Sequence, residues 1–190
     1  MKSFTKTAEG LNYLKISCLV VLTLNLSLDF IRASAAEMGD GHNMPTATLD
    51  NRQAALMFNI DPSPVIAEKN VDFDIKLMDN KTGNNISHVT LLVTITKGGQ
   101  RVFTESLHTH DGNLKIQFVP TAANPYKVNA NYDGLSASYV SDFGNPIKVS
   151  GPIFAMKGNY LVSIEITGVD FDNVFIASPI KFDFSVPVAG

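Results

Sequence analysis

The chain has 190 residues, of which 45% are hydrophobic and 17% are charged, and its formal net charge is -3. This composition supplies enough apolar side chains for one packed domain and too little charge for a disordered chain. No run of Lys or Arg forms the concentrated basic face that phosphate binding requires, so we expect no nucleic-acid partner.

The N-terminal segment is typical of an export signal. Lysines precede an apolar run over residues 16–28, and Ala33-Ser34-Ala35 fits a cleavage site. The run is about 13 residues long, whereas a membrane-spanning helix needs about 20. We therefore predict a signal peptide over residues 1–35 and a secreted, extracytoplasmic location in the cell envelope. The alternative is an uncleaved N-terminal anchor, which would then be the protein's contact with a membrane.

The single cysteine, Cys18, lies inside the apolar run. A mature chain that begins at Ala36 has neither a thiol nor a disulfide, so its fold must depend on its hydrophobic core or on a metal. Thiolate metal sites and a catalytic cysteine are excluded. A type 1 copper site is excluded as well, because it needs a Cys ligand.

Residues 36–51 are polar, and we interpret them as a flexible leader. From residue 52 to 190, short strand patterns follow at the spacing expected of a β-sandwich. The clearest rows of inward-facing residues are Val71, Phe73, Ile75 and Leu77, then Val89, Leu91, Val93 and Ile95, then Leu114, Ile116 and Phe118, then Tyr160, Val162, Ile164 and Ile166, and last Ile180, Phe182, Phe184 and Val186.

No stretch of the mature chain has helical periodicity, and Pro and Gly interrupt it often. We predict one all-β domain, an antiparallel sandwich of immunoglobulin or fibronectin-III type. Residues 126–132 are predicted to form a single strand within it.

Gly98-Gly99 marks a hairpin between two of these strands. A three-residue loop over 98–100 places Leu91 opposite Leu107, which pairs large apolar side chains across the hairpin. A two-residue loop would shift the pairing by one residue and set polar side chains against apolar ones. We therefore predict the three-residue loop.

His108 and His110 are separated by one residue in the return strand, so they project from the same face, about 6.6–6.8 Å apart. They alternate with the apolar residues Phe103 and Leu107, which are expected to face the core. We expect the two histidines to point away from the core. The predicted register adds His88, because it places this residue opposite His110.

Three imidazoles on one outward patch make a workable site for copper or zinc. His42 on the leader and Asp111 beside His110 are candidate additional ligands. A His-x-His pair next to a turn is also compatible with a plain solvated surface, and Asp111-Gly112 with ordinary turn chemistry. The sequence carries neither the G-x-S-x-G nor the His-Glu-x-x-His pattern, and we predict no enzymatic activity.

Part of the chain, Ile60 to Val119, resembles small extracytoplasmic β-sandwich domains that handle copper, the YtkA-like and CopC-like families. The residues that carry this resemblance are Asp61-Pro62-Ser63-Pro64, Val71-Asp72-Phe73-Asp74-Ile75 and Leu107-His108-Thr109-His110-Asp111-Gly112. The His-x-His pair is also similar to the copper site in the cupredoxin-like part of copper membrane monooxygenases, although the mature N-terminus predicted here is Ala36 and not a histidine. The resemblance implies a copper-binding carrier, or an accessory to a membrane complex.

Three hypotheses on function follow from the sequence. The first is a metal-binding module, for copper before zinc, with an envelope or membrane protein as its partner. The second is a structural or adhesive domain of the cell envelope that works through strand edges and loops. The third is a secreted enzyme with an unrecognised site.

Overall fold

The computed structural model describes residues 32–33, 44–49, 52–141, 144–169 and 174–190, with the backbone alone described for 32–33 and 174–179. Every regular element in these ranges is a β-strand, so the all-β prediction is confirmed. Within the same ranges, no helix has the length and apolar character needed to cross a bilayer. The predicted signal peptide, apart from residues 32–33, lies outside the described residues.

The strands form two sheets. The first has eight strands, in the order β1 (Arg32–Ala33), β14 (Val174–Ala189), β13 (Gly158–Val169), β6 (Val89–Lys97), β7 (Gln100–Thr109), β11 (Ser138–Ser141) and β10 (Asn131–Asp133), with β4 (Val65–Ile66) also beside β14. The second has six, in the order β2 (Thr46–Leu49), β3 (Arg52–Asp61), β5 (Val71–Asp79), β8 (Asn113–Pro120), β12 (Ile147–Gly151) and β9 (Lys127–Asn129).

Both sheets are mixed, so the prediction of a purely antiparallel fold is wrong. Strand β11 runs parallel to β7, β12 parallel to β8, and β1 and β4 parallel to β14. The chain between β8 and β13 crosses from one sheet to the other and back. The predicted single strand over 126–132 is therefore two strands, β9 and β10, in different sheets. Local alternation does not reveal this, because each piece has only three residues.

The two sheets pack face to face around one hydrophobic core, in a sandwich-like arrangement. The rings of Phe103 on β7 and Phe118 on β8 meet edge to face at 5.4 Å between centroids. The rings of Phe58 on β3 and Phe184 on β14 are tilted by 51° to each other, with their centroids 4.7 Å apart. Each pair joins one sheet to the other. All five predicted inward-facing rows are buried, as the alternation of apolar and polar residues predicts.

Strand β2 lies within the segment interpreted as a leader. It pairs antiparallel with β3, and Ala47 and Leu49 are buried in the core. The second sheet therefore begins before residue 52, with four residues that pack as part of the domain.

Candidate metal centre

The β6–β7 hairpin determines which histidines face each other. Its loop is the two-residue Gly98-Gly99, with φ of 55° and 79° as a type I′ turn requires, so the predicted three-residue loop is wrong. A β-bulge then leaves Val102 unpaired and returns the strands to the predicted register. Leu91 lies opposite Leu107, as expected from the pairing of apolar side chains.

The first of the three histidines, His88, directly precedes β6. Its backbone N–H donates to the carbonyl of His110 at 3.1 Å, so the predicted juxtaposition of these two residues is confirmed. His88 has a φ of 51°, in the left-handed region that non-glycine residues rarely adopt. This conformation accompanies the change of direction by which the chain enters β6.

The loop that precedes β6 is tied to the β7–β8 turn. The side-chain amide of Asn85 donates to the carbonyl of Asp111 in that turn at 3.0 Å. The N–H of Ile86 donates to the carbonyl of Leu77 on β5 at 2.8 Å, and the N–H of Leu77 donates to the carbonyl of Gly112 in the turn at 3.2 Å. Gly112, at a φ of 76°, approaches the Ile86 carbonyl so closely that a Cβ would clash with it. These contacts hold the start of β6 and the end of β7 together.

His88, His108 and His110 form a group whose possible ligand nitrogens all lie within 4.8 Å of one another. Two nitrogens on one tetrahedral ion, each bonded at about 2.0–2.1 Å, are about 3.4 Å apart. Small side-chain rotations would therefore bring the three imidazoles to coordination distance. The arrangement can hold a metal ion through three neutral nitrogens.

His108 lies on the face of β7 opposite Leu107, as the alternation predicts, but it is only 3% exposed. The prediction of an outward patch therefore holds for His110, which is exposed, and not for His108. The Nδ1 of His108 is 2.9 Å from the hydroxyl oxygen of Thr90, its direct cross-strand neighbour on β6. Thr90 is also buried, so this hydrogen bond is shielded from water.

Asp133 stands at the β10 end of the same sheet, near enough for the charge of His108 to act on it. The N–H of Leu135 and the hydroxyl of Ser136 donate to the Asp133 carboxylate and hold its pKa below the usual value. Charge on His108 lowers this pKa further, as a smaller contribution. A carboxylate near a metal-binding histidine provides compensating negative charge for a bound cation.

The two predicted additional ligands have different outcomes. Asp111 is not part of the group of converging ligand atoms found among the described residues. Its carboxylate oxygen Oδ1 accepts the hydroxyl of Thr109 at 2.8 Å and the N–H of Asn113 at 2.9 Å, which is turn chemistry. His42 lies outside the described residues.

Thr90 was not anticipated as part of the site, although the predicted register already placed it opposite His108. No protein-family model, no curated protein and no solved structure matches this chain. The geometry of the three histidines is therefore the basis on which a function is assigned.

Proposed function

We propose that this protein is an extracytoplasmic copper-binding module, which acts as a carrier or as an accessory to a membrane complex. The observation that supports this most is the convergence of His88, His108 and His110 to within 4.8 Å. The extracytoplasmic location rests on the signal-like residues 1–35 and is part of the proposal. The proposal assigns no chemical reaction to the three-histidine centre.

The choice of copper follows from the donor set. Three imidazoles without a thiolate suit both Cu(II) and Zn(II). Affinity for divalent ions of the first transition row generally peaks at Cu(II), so a site of this kind takes copper ahead of zinc when both are offered. Zinc is therefore the competing ion in any test.

The position of the histidines in the fold favours binding by a partly preformed site. His108 and His110 extend from one side of a strand, and backbone pairing sets His88 beside His110. Ligands on paired strands are positioned more accurately than ligands on free loops, which lowers the ordering cost of binding.

Titration of the purified protein with Cu(II), followed by calorimetry, tests the proposal. We expect uptake of about one ion per chain at this single three-nitrogen site. The His108→Ala/His110→Ala double variant is expected to lose it. A Thr94→Val variant on β6 is the control, and it is expected to keep the uptake because Thr94 is not one of the three ligands and bonds to Thr104. Unchanged uptake in the double variant would contradict the proposal.

We also propose that the sandwich is of the immunoglobulin/fibronectin-III type. Its seven longer strands are, in chain order, β3, β5, β6, β7, β8, β13 and β14. The first, second and fifth lie in one sheet, and the seventh, sixth, third and fourth are adjacent in the other. In an immunoglobulin constant domain the fourth strand belongs with the first, second and fifth. The fourth strand here stays beside the third, which favours the fibronectin-III variant.

A second candidate function, a structural or adhesive domain of the envelope, is favoured by one observation. Strand β10 is a sheet edge, and near it Leu135 is 99% exposed and Tyr132 is 60% exposed. Apolar side chains at an open edge are suited to contact with another protein. Loss of envelope retention in a Tyr132→Ser/Leu135→Ser variant, with no effect of metal, would support this candidate over the first.

A further inference from the structure

The three histidines of the candidate centre differ in how far solvent reaches them. His108 is buried at 3% exposure, His88 is half-buried, and His110 is exposed. A metal ion held by all three would therefore be closed off on the His108 side and open on the His110 side.

They also differ in how firmly they are held. The ring of His108 is engaged at Nδ1 by Thr90, within the paired part of β6 and β7. His110 follows the last residue of β7, where the strand has ended. Its ring can therefore swing into solvent without leaving a cavity, whereas displacement of His108 would leave one in a buried region.

Resting on the proposed metal-binding function, we propose that one ligand of the metal ion is exchanged at the His110 position. An imidazole carried by a partner polypeptide enters from solvent and takes this position, while His108 and His88 retain the ion. One metal–nitrogen bond forms to the incoming imidazole and the bond to His110 breaks. No electron is transferred, and the copper remains Cu(II) throughout.

Chemical rescue by imidazole tests this asymmetry. The variants His110→Gly and His108→Gly each remove one ligand, and Cu(II) affinity is measured with and without added imidazole. For His110→Gly we expect about a tenfold recovery of affinity, because the vacated position is open to solvent. For His108→Gly we expect no recovery, because its position is closed. Equal rescue of both variants, or of neither, would overturn the exchange proposal.

A second rescue experiment tests whether the entering imidazole can be the side chain of a polypeptide. The probe is a blocked tripeptide, acetyl-Gly-His-Gly-amide, in place of free imidazole. We expect it to rescue His110→Gly as well as imidazole does. Rescue by free imidazole alone would show that the position is too narrow for an imidazole carried by a polypeptide, and would overturn ligand exchange with a partner.

The buried variant His108→Gly risks misfolding, so a measurement on the unaltered protein complements it. Diethylpyrocarbonate modifies accessible histidines, and bound Cu(II) should protect His110 from it. Addition of the tripeptide to the copper-loaded protein is expected to restore modification of His110 and to leave His108 protected. Continued protection of His110 would refute the proposal. If the unaltered protein takes up no Cu(II), both the proposed function and the exchange proposal are refuted. If it binds Cu(II) but His110 is not displaced, only the exchange proposal is refuted.

Discussion

The Thr90 hydroxyl oxygen lies 2.9 Å from Nδ1 of His108, and the two residues are direct neighbours across the β6–β7 pair. When Nδ1–H donates this hydrogen bond, Nε2 carries the lone pair that a metal needs. A hydrogen bond on the other ring nitrogen is the usual way in which a protein fixes a metal-binding histidine. Thr90 thus acts on the site through His108.

Replacing Thr90 by the isosteric valine is expected to lower Cu(II) affinity by about 10- to 100-fold, because the His108 ring loses its hydrogen-bond partner. Nitrogen NMR of the metal-free protein should show a changed tautomer balance at His108. Thr94→Val is the matched control. Thr94 lies on the same strand and bonds to Thr104 across the hairpin at 3.0 Å. Equal losses of affinity in both variants would mean that the effect is one of general stability.

The backbone of His88 yields a prediction on stability. Its φ of 51° is strained for any residue with a Cβ, by about 1–2 kcal/mol. The free energy of unfolding of His88→Gly should therefore be about 1 kcal/mol higher than that of His88→Ala. Glycine adopts this conformation without strain, and its greater freedom in the unfolded chain offsets only part of that gain. Urea denaturation of the metal-free variants measures the difference. Both variants are expected to bind Cu(II) weakly, and a glycine variant no more stable than the alanine variant would be inconsistent with this strain.

The close approach of Gly112 to the Ile86 carbonyl is tested by comparing alanine substitutions at Gly112 and at the hairpin glycine Gly98. Both have positive φ, but a Cβ at Gly98 meets nothing within 4 Å, whereas at Gly112 it meets the carbonyl of Ile86. Gly98→Ala should cost about 1–2 kcal/mol from backbone strain alone. Gly112→Ala should cost about 1–3 kcal/mol more, because the β5–β6 loop must move.

The same movement would separate His88 from His110, so Gly112→Ala is also expected to weaken Cu(II) binding, while Gly98→Ala leaves it near the original value. Thermal unfolding and copper titration of the two variants measure both effects. Similar stabilities for the two variants would argue against the tight contact with Ile86.

Tyr126 links a neighbouring segment to the strand that carries His108. Its hydroxyl lies 2.8 Å from the carboxylate of Glu105 and 3.0 Å from the carbonyl of Thr104, both on β7. Burial, followed by the hydrogen bond to Glu105, raises the pKa of Tyr126 to about 12. In the unfolded chain the phenol loses its proton near pH 10.

The free energy of unfolding should therefore fall as the pH rises from about 10 to 12, because only the unfolded chain has released this proton. Tyr126→Phe is expected to remove this contribution and to cost about 1–2 kcal/mol at neutral pH. Urea denaturation of both proteins across this pH range measures the difference between them. If the free energy of unfolding fell equally with pH in the two proteins, the loss of stability would come from ionisable groups other than Tyr126.

Much of the fold follows from local alternation. The rows from Val71 to Leu77 and from Val89 to Ile95 are buried because every second side chain faces one side of a strand. The pairing of His88 with His110 was predictable for a related reason, since only one register aligns the apolar residues of β6 and β7. Glu105 faces the core side of the same strand, where the Tyr126 hydroxyl satisfies its carboxylate.

What the sequence did not predict depends on contacts between distant segments. Alternation predicts that His108 faces away from the core, but strand β11 pairs beside it, with Val140 as its direct neighbour. That strand follows His108 by some thirty residues, and its parallel pairing has no local signal comparable to a hairpin turn. The proximity of Asp133 to His108 likewise has no local signal in the sequence.

The unpaired Val102 has a consequence for changes in chain length. If Val102 were instead paired in a regular ladder, the two-residue loop would set His108 opposite Val89, a core residue, and turn the imidazole toward the apolar interior. Val102 lies six residues from His108, about 20 Å along an extended strand. Hairpin tips usually tolerate insertions and deletions, and deletion of Val102 would leave a regular ladder in which His108 still lies opposite Thr90. Lineages that retain the three histidines are therefore expected to have either this bulged hairpin or a regular hairpin that is one residue shorter.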